Sequence, residues 1–125
     1  MGCASGSKDT CERGETMHLQ IHDAVSGTQL VDARDEMALK IEGNWYVDPA
    51  TINSAHLELT KHEYTCPYKG TCHYVDFVDG ERRIERVAWV YADPKSGWEH
   101  IAGRYGFYAG ETAGRFGKTK ETLTP

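Results

Sequence analysis

The sequence lacks the long hydrophobic run that a membrane-spanning helix requires. Its longest apolar stretches are a few residues, such as residues 87–92, against a requirement of roughly 20. It also lacks the basic start and apolar core of a secretory signal, because residues 1–10 are small and polar. Basic residues are few: 14 Lys and Arg stand against 19 Asp and Glu, which gives a net charge of −5. We therefore expect a cytoplasmic protein that does not bind nucleic acid.

Cysteine is scarce, and its spacing is not that of a zinc site. Five residues separate Cys66 from Cys72, whereas structural zinc sites use short Cys-x-x-Cys pairs. His62 and His73 lie near these cysteines in sequence, but Cys72 and His73 would face opposite sides of one strand. We therefore predict no metal and no cofactor, and we expect the thiols to be reduced.

The first residues predict one route to a membrane. Gly2 follows Met1 and is a candidate for myristoylation, and Cys3 can take a second acyl chain. The myristoylation pattern needs Ser or Thr at position six, where this chain has Gly6. Since one acyl chain binds membranes only marginally, we expect membrane association only if the N-terminus is acylated. The alternative is an unmodified polar leader.

Composition divides the chain into three parts. Residues 1–15 are small and polar, which predicts a disordered leader. Residues 16–110 carry the apolar patterns and predict a single β domain. Residues 111–125 predict a polar tail.

Alternation of apolar and polar residues is the main secondary-structure signal. It runs through residues 17–21 and predicts a strand with one buried face. A turn at Ser26-Gly27 and a returning strand at residues 28–33 complete a first hairpin. Residues 35–41 fit either a helical turn or a strand, because the window is too short for periodicity to decide.

The clearest hairpin is predicted around Asp79-Gly80, a dipeptide favoured in two-residue type I′ turns. The strand after it, residues 84–91, is apolar on both faces, which is typical of a central strand. Residues 105–108 predict a last aromatic strand, and no window shows a helical stripe. The sequence thus predicts an all-β fold, a small twisted complex of two antiparallel sheets with at most short helical turns.

Four short strings, in order, carry a family resemblance. They are Tyr46-Val47-Asp48-Pro49; Thr65-Cys66-Pro67-Tyr68-Lys69-Gly70 with Tyr74 after it; Ala88-Trp89-Val90-Tyr91 followed by Pro94; and Ile101-Ala102-Gly103 leading to Phe107-Tyr108. Over residues 28–108 the chain resembles the domain of unknown function 427 family. The resemblance implies a fold similar to the β-tent domains, the group that includes methionine sulfoxide reductase B.

The family carries a nominal nucleotidyltransferase label, for which the sequence offers no machinery. Nucleotidyl transfer normally needs carboxylates that hold Mg²⁺ and a backbone cradle for phosphates. The sequence has no Gly-x-x-x-x-Gly-Lys-Ser/Thr loop and no close pair of Asp residues on one predicted strand. After Tyr108 it also departs from the family, since residues 109–114 replace the usual acidic and β-branched strand.

Aromatic residues around Lys69 predict a ligand site. Gly70 permits a positive φ, which lets the lysine turn inward to meet an anionic group. Tyrosine rings on either side offer a flat apolar wall. We expect a pocket for a small, anionic ligand formed by Tyr68, Lys69, Gly70, Tyr74, Trp89, Tyr91 and Tyr108. The alternative is a solvent-facing lysine beside tyrosines that pack on the sheet.

Glu99 and His100 are the best acid–base candidates, because an unperturbed histidine exchanges protons near neutral pH. Neighbours in an extended segment point apart, so they would act together only if the loop curls. Two other functions stay open beside small-ligand binding. One is an enzyme, either transferase-like or redox-active through Cys66 or Cys72, and the other is a protein–protein adaptor tethered by its N-terminus. The sequence leaves the oligomeric state open.

Overall fold

Nine strands form two antiparallel sheets in the computed structural model, which describes residues 17–125. The strands are β1 (His18–Asp23), β2 (Gln29–Arg34), β3 (Ala38–Ile41), β4 (Asn44–Val47), β5 (Leu57–Cys66), β6 (Gly70–Asp79), β7 (Arg82–Val90), β8 (Tyr105–Tyr108) and β9 (Thr119–Thr124). Helix α1 (Gly110–Phe116) joins β8 to β9, and short 3-10 helices occupy Asp35–Met37, Pro49–Thr51 and Glu99–Ile101. The predicted all-β, two-sheet fold is confirmed.

The strand order places β7 and β8 inside the larger sheet. The six-stranded sheet has the order β3-β4-β8-β7-β6-β5, and the three-stranded sheet has the order β9-β1-β2. Strand β7 has paired neighbours on both sides, which agrees with its apolar character on both faces. No helix within residues 17–125 is long and apolar enough to cross a bilayer.

The main core lies between the two sheets. Alternation assigns each side chain to one face of its strand, so Trp45 and Val47 of β4 enter this core while Tyr46 between them faces the other way. The other large members include Leu19, Ile21, Leu30, Val31, Val75, Phe77 and Phe107. The face that carries Tyr46 therefore points away from the smaller sheet and stays available for a site.

Two buried carboxylates are held by arginines of β7. Asp23, 2% exposed at the end of β1, accepts a hydrogen bond from Arg82 Nη1 at 2.8 Å and so ties the two sheets together. Asp76 of β6 accepts from Arg83 Nη1 at 2.6 Å and from the backbone N–H of Arg86 at 3.1 Å. The register of β6 and β7 shifts at this point, and Arg86 has a positive φ of 59° there. Asp76 therefore accepts a hydrogen bond from a backbone N–H that has no partner in the strand ladder.

The turn of the β6–β7 hairpin lies one residue later in the sequence than predicted. Asp79 pairs with Arg82, so the two loop residues are Gly80 and Glu81 rather than Asp79 and Gly80. Only Gly80 has a positive φ, of 63°, whereas a type I′ turn needs positive φ at both loop positions. A type I′ pattern occurs instead between β3 and β4, where Glu42 and Gly43 have φ values of 55° and 79°.

Residues 111–125, expected to form a polar tail, contain most of α1 and all of β9. Strand β9 pairs with β1 along its whole length, from Thr119 opposite Asp23 to Thr124 opposite His18. Its polarity is that of an edge strand, because only Thr119 is buried and the ladder uses backbone groups. For residues 35–41 the sequence left a helical turn and a strand open. The structure has both, a 3-10 turn at Asp35–Met37 followed by β3.

Candidate functional site

A row of aromatic residues crosses the outer face of the six-stranded sheet. The strand register places Tyr46 of β4 opposite Gly106 of β8, Gly106 opposite Trp89 of β7, and Trp89 opposite Tyr74 of β6. Side chains that lie directly across neighbouring strands are close enough to contact each other. The row therefore brings three aromatic side chains to one surface, with a glycine between two of them.

Gly106 makes room for the Trp89 indole. A Cβ atom built at position 106 would lie 2.4 Å from Trp89 Nε1, which is closer than real Cβ atoms approach. The indole lies against the glycine, and Nε1 donates a long hydrogen bond of 3.4 Å to the hydroxyl of Tyr46. The Tyr108 ring lies 4.8 Å from Trp89, and Phe116 of α1 stacks on Tyr108 at 4.6 Å. This aromatic cluster fixes the floor of the site.

A cavity of about 240 Å³ opens above this floor. It is lined by side chains from strands β4 to β8, from the loop before β6 and from the residue after β7. These are Asn44, Tyr46, Tyr64, Cys66, Lys69, Cys72, Tyr74, Trp89, Tyr91 and Tyr108. Half of the lining residues are tyrosines, so the walls combine flat apolar rings with hydroxyl groups.

Lys69 is the cation of the cavity, and it is held from two sides. Its Nζ donates to Glu42 Oε1 at 2.5 Å and lies 4.6 Å from the centre of the Trp98 ring. Burial would lower the pKa of Lys69, but the hydrogen bond and charge of Glu42 outweigh burial and raise it. The ammonium therefore stays charged, and most of its side chain is enclosed while Glu42 remains largely exposed.

The two thiols of the cavity differ in their environment. Burial raises the pKa of the Cys72 thiol, which is 2% exposed on β6. Burial also opposes ionisation of Cys66, but the backbone N–H groups of Lys69 and Tyr68, together with the charge of Lys69, lower its pKa. Of the two thiols, Cys66 thus ionises more readily.

The buried tyrosines remain protonated. Burial is the main cause that raises the pKa of Tyr91 and of Tyr46, and the nearby Cys72 thiol adds to it in both cases. At neutral pH both phenols therefore act as hydrogen-bonding groups and not as anions.

A family model described as Domain of unknown function (DUF427) matches residues 14–117. The chain belongs to the DUF427 family. The nucleotidyltransferase in the family's nominal name is a label and assigns no activity to this DUF427 chain. No curated protein matches the DUF427 chain in sequence.

The DUF427 fold brings five of the seven predicted ligand-site residues to the cavity. They are Lys69, Tyr74, Trp89, Tyr91 and Tyr108. Tyr68 does not line the cavity, because it lies at the tip of the β5–β6 loop and is 74% exposed. Gly70 is buried but backs onto Lys95, whose backbone nitrogen would lie 3.5 Å from a Cβ at this position. Its φ of 108° agrees with the predicted positive φ.

Glu99 and His100 lie away from the cavity. Both belong to the 3-10 helix Glu99–Ile101 and are exposed. The Glu99 carboxylate accepts from the backbone N–H of Gly97 at 2.9 Å, and the His100 ring stacks on Trp98 at 5.8 Å. Neither side chain reaches the aromatic floor, so the geometry does not assign them to this site.

The remaining candidates from the sequence are the metal ligands and the acylation positions. Within residues 17–125 no cluster of three or more His, Cys, Asp or Glu side chains is arranged to hold a metal ion. His73 of β6 contacts Glu63, its direct neighbour across the β5–β6 hairpin, at 3.0 Å. Gly2 and Cys3, the predicted acylation positions, lie outside the described residues.

Sequence reasoning missed half of the cavity lining. The residues not predicted to line it are Asn44, Tyr46, Tyr64, Cys66 and Cys72, although the two cysteines were candidates for redox chemistry. A signal for Tyr46 was present, because in Trp45-Tyr46-Val47 the middle residue must face away from its two neighbours. The same rule applies to Cys72 and Tyr74, which are two residues apart and share a face of β6.

Proposed function

We propose that the cavity binds a small molecule with a flat, apolar body and an anionic group that meets Lys69. The observation that carries the proposal is the concentration of tyrosine and tryptophan side chains, with one lysine, around one opening on the outer face of the larger sheet. The outer face of an antiparallel sheet is usually polar. Aromatic side chains that converge there with a few polar groups are typical of a ligand site.

The volume restricts the size of the ligand. At about 240 Å³ the cavity is slightly below the range of roughly 300–1,000 Å³ that is usual for ligand pockets, so a compound of one or two rings suits it. Trp89 and Tyr108 give the cavity aromatic walls, and Tyr46 and Asn44 supply polar groups at one wall. These groups favour a planar compound over a flexible chain.

Lys69 gives the proposed preference for an anion. Its ammonium is already paired with Glu42, which is more exposed and belongs to the β3–β4 turn. A ligand carboxylate or phosphate can replace Glu42 at the ammonium while Glu42 moves into water. Binding an anion exchanges the Lys69–Glu42 ion pair for an ion pair with the ligand. We therefore expect moderate affinity for an anion.

A thermal-shift panel tests the proposal. The panel contains mononucleotides, sugars, amino acids and small aromatic carboxylates, each at millimolar concentration. We expect an aromatic anion to raise the Tm by several degrees, because a ligand at about 100 times its Kd stabilises a protein by about 2.7 kcal/mol.

Paired lysine variants assign the effect to the site. Lys69→Met should abolish most of the shift, whereas Lys61→Met, on the exposed part of β5, should preserve it. The proposal fails if no compound moves the Tm, or if the two variants respond equally.

A further inference from the structure

We propose that Cys66 is a covalent attachment site for flat, unsaturated carbonyl compounds, such as quinones and cyclic enones, that enter the aromatic cavity. This inference rests on the proposed function, since it uses the same cavity and the same aromatic floor. It goes beyond that function because it names the ligand's reactive group and the bond that forms.

The position of Cys66 in its turn directs polar groups at its sulfur. Cys66 is the last residue of β5 and pairs with Gly70, so the hairpin loop consists of Pro67, Tyr68 and Lys69. Pro67 has no N–H, and the backbone N–H groups of Lys69 and Tyr68 in the same loop favour the ionised form of the Cys66 thiol. Two N–H groups directed at one atom stabilise negative charge there, as a side-chain oxygen is stabilised at the start of a turn.

A positive side chain completes this environment. Lys69 shares the loop and lines the same cavity, and its charge favours the Cys66 thiolate. The second thiol, Cys72, lies on the neighbouring strand and is fully enclosed, which favours its neutral form. The cavity therefore presents one reactive thiol beside one inert thiol.

The Tyr46 hydroxyl is an independent indication of a ligand. Tyr46 is 2% exposed and lines the cavity, and its oxygen accepts the Trp89 hydrogen bond. In the part of the chain that the structure describes, no acceptor receives a hydrogen bond from the Tyr46 O–H. A buried donor without an acceptor is costly, and a ligand carbonyl oxygen in the cavity would satisfy it.

The reaction that follows is a conjugate addition. The Cys66 thiolate forms a carbon–sulfur bond with the β-carbon of the unsaturated carbonyl, and the π electrons move to the carbonyl oxygen. Lys69 and the Tyr46 O–H stabilise the resulting enolate, which then takes a proton from water at the α-carbon; a quinone adduct afterwards enolises to the hydroquinone. The thiol proton and sulfur have thus added across the double bond, and no external oxidant or reductant is consumed.

Adduct mapping under argon tests the site. A Cys3→Ser/Cys11→Ser chain, which keeps Cys66 and Cys72, is treated with 1,4-naphthoquinone or with acrylamide, a conjugate acceptor without a ring. Each rate is divided by the rate of the same reagent with glutathione. We expect one quinone per chain, on Cys66, and a normalised rate at least about tenfold higher for the quinone than for acrylamide. Equal normalised rates, or attachment to Cys72, would overturn the proposal.

Charge variants test the role of the environment. Lys69→Met should slow quinone attachment by roughly threefold or more, and Glu42→Gln should accelerate it, because Glu42 disfavours the Cys66 thiolate. Lys61→Met is the matched control and should leave the rate unchanged. Rates that do not change in opposite directions for Lys69→Met and Glu42→Gln contradict the mechanism.

The thermal shift and the adduct, both measured on the chain that keeps Cys66, separate this proposal from the proposed function. If the chain shows the thermal shift with aromatic anions and the quinone attaches to Cys66 at the expected rate, both proposals stand. If the wild type shows the thermal shift but Cys66 does not react faster than glutathione with the quinone, only the covalent site is refuted. If neither the shift nor the adduct occurs, both are refuted.

Discussion

The indole of Trp89 occupies the space that a side chain at position 106 would need. Gly106 lies directly opposite Trp89 on β8, and an added Cβ would meet Nε1 at 2.4 Å and Cε2 at 2.5 Å. The flat indole can lie down on the sheet only because this residue is glycine. The floor of the cavity and its hydrogen bond to Tyr46 both depend on that contact.

Gly106→Ala should therefore displace Trp89. We expect a loss of about 1–3 kcal/mol in the free energy of unfolding, typical of an overpacked site, measured by urea denaturation. Gly114→Ala is the matched control, because a Cβ there has nothing within 4 Å and the residue lies inside α1. It should stabilise the protein by about 0.5–1 kcal/mol. Equal effects of the two substitutions would show that the indole does not rest on Gly106.

The Asp23–Arg82 pair should give the protein an acid-dependent stability. Burial alone would raise the pKa of Asp23, but hydrogen bonds from Arg82 and Ser26 outweigh it and lower the pKa from 3.8 to about 2. Because the folded pKa is the lower one, the stabilisation is complete above about pH 5 and is lost as pH falls from about 4 towards 2. The pKa difference corresponds to about 2 kcal/mol.

Asp23→Asn removes the titrating group and tests this linkage. The variant should be less stable than the wild type at pH 7, and the two should converge near pH 2 in urea denaturation. Asp93→Asn, in an exposed loop, serves as the control and should keep the wild-type free energy of unfolding at pH 7. If the difference in free energy of unfolding between the wild type and Asp23→Asn is the same at pH 2 as at pH 7, the lowered pKa is contradicted.

Glu121 should make β9 an essential part of the fold. Its Oε1 accepts from Trp45 Nε1 at 3.0 Å and from the backbone N–H of Gly110 at 2.9 Å. Glu121→Ala leaves the buried indole N–H unpaired and should cost about 1–3 kcal/mol in the free energy of unfolding. Glu121→Gln keeps an acceptor and should cost less. Lys120→Ala, exposed on the same strand, should change stability by less than about 0.5 kcal/mol.

Glu42 should limit the affinity of Lys69 for anions. Removing its carboxylate in Glu42→Gln frees the ammonium, so an aromatic carboxylate should bind more tightly while a neutral ring of the same shape is unaffected. Glu42→Asn should give the same gain in affinity and a more stable protein than Glu42→Gln. Asn tolerates the positive φ of 55° at this position better than the longer side chains do. Paired titrations with benzoate and benzamide, with Tm values for both variants, check this.

Most strands could be predicted because their chemistry is local. The alternation near Ile21 and the β-forming run Trp45–Val47 indicate strands without knowledge of the partners. Strand β9 could not be found this way, because residues 119–124 pair with β1 almost 100 residues earlier and need few apolar side chains to do so. The turn at Gly80 shifted by one residue because the cross-strand register, and not the dipeptide, fixes which residues close the hairpin.

The site was partly predictable for the same reason. Tyr74 was predicted as an aromatic residue that flanks Lys69, and Trp89 was predicted as an aromatic residue on one face of the central strand. Tyr46 was missed because only the strand order, with β8 inserted between β4 and β7, brings it next to Trp89. The pairing of Lys69 with Glu42 likewise depends on the position of the β3–β4 turn, which joins two strands far from Lys69 in sequence.

The most direct test of ligand binding in the cavity uses the indole N–H signals of the three tryptophans in ¹H–¹⁵N NMR spectra. Trp89 lines the cavity, whereas Trp45 lies in the core on the opposite face of the sheet. Titration with benzoate, indole-3-acetate and adenosine monophosphate, with signals assigned by Trp→Phe variants, should shift the Trp89 signal in a saturable manner and leave Trp45 in place. If no probe moves the Trp89 signal, or if all three signals move together, the cavity is not a ligand site.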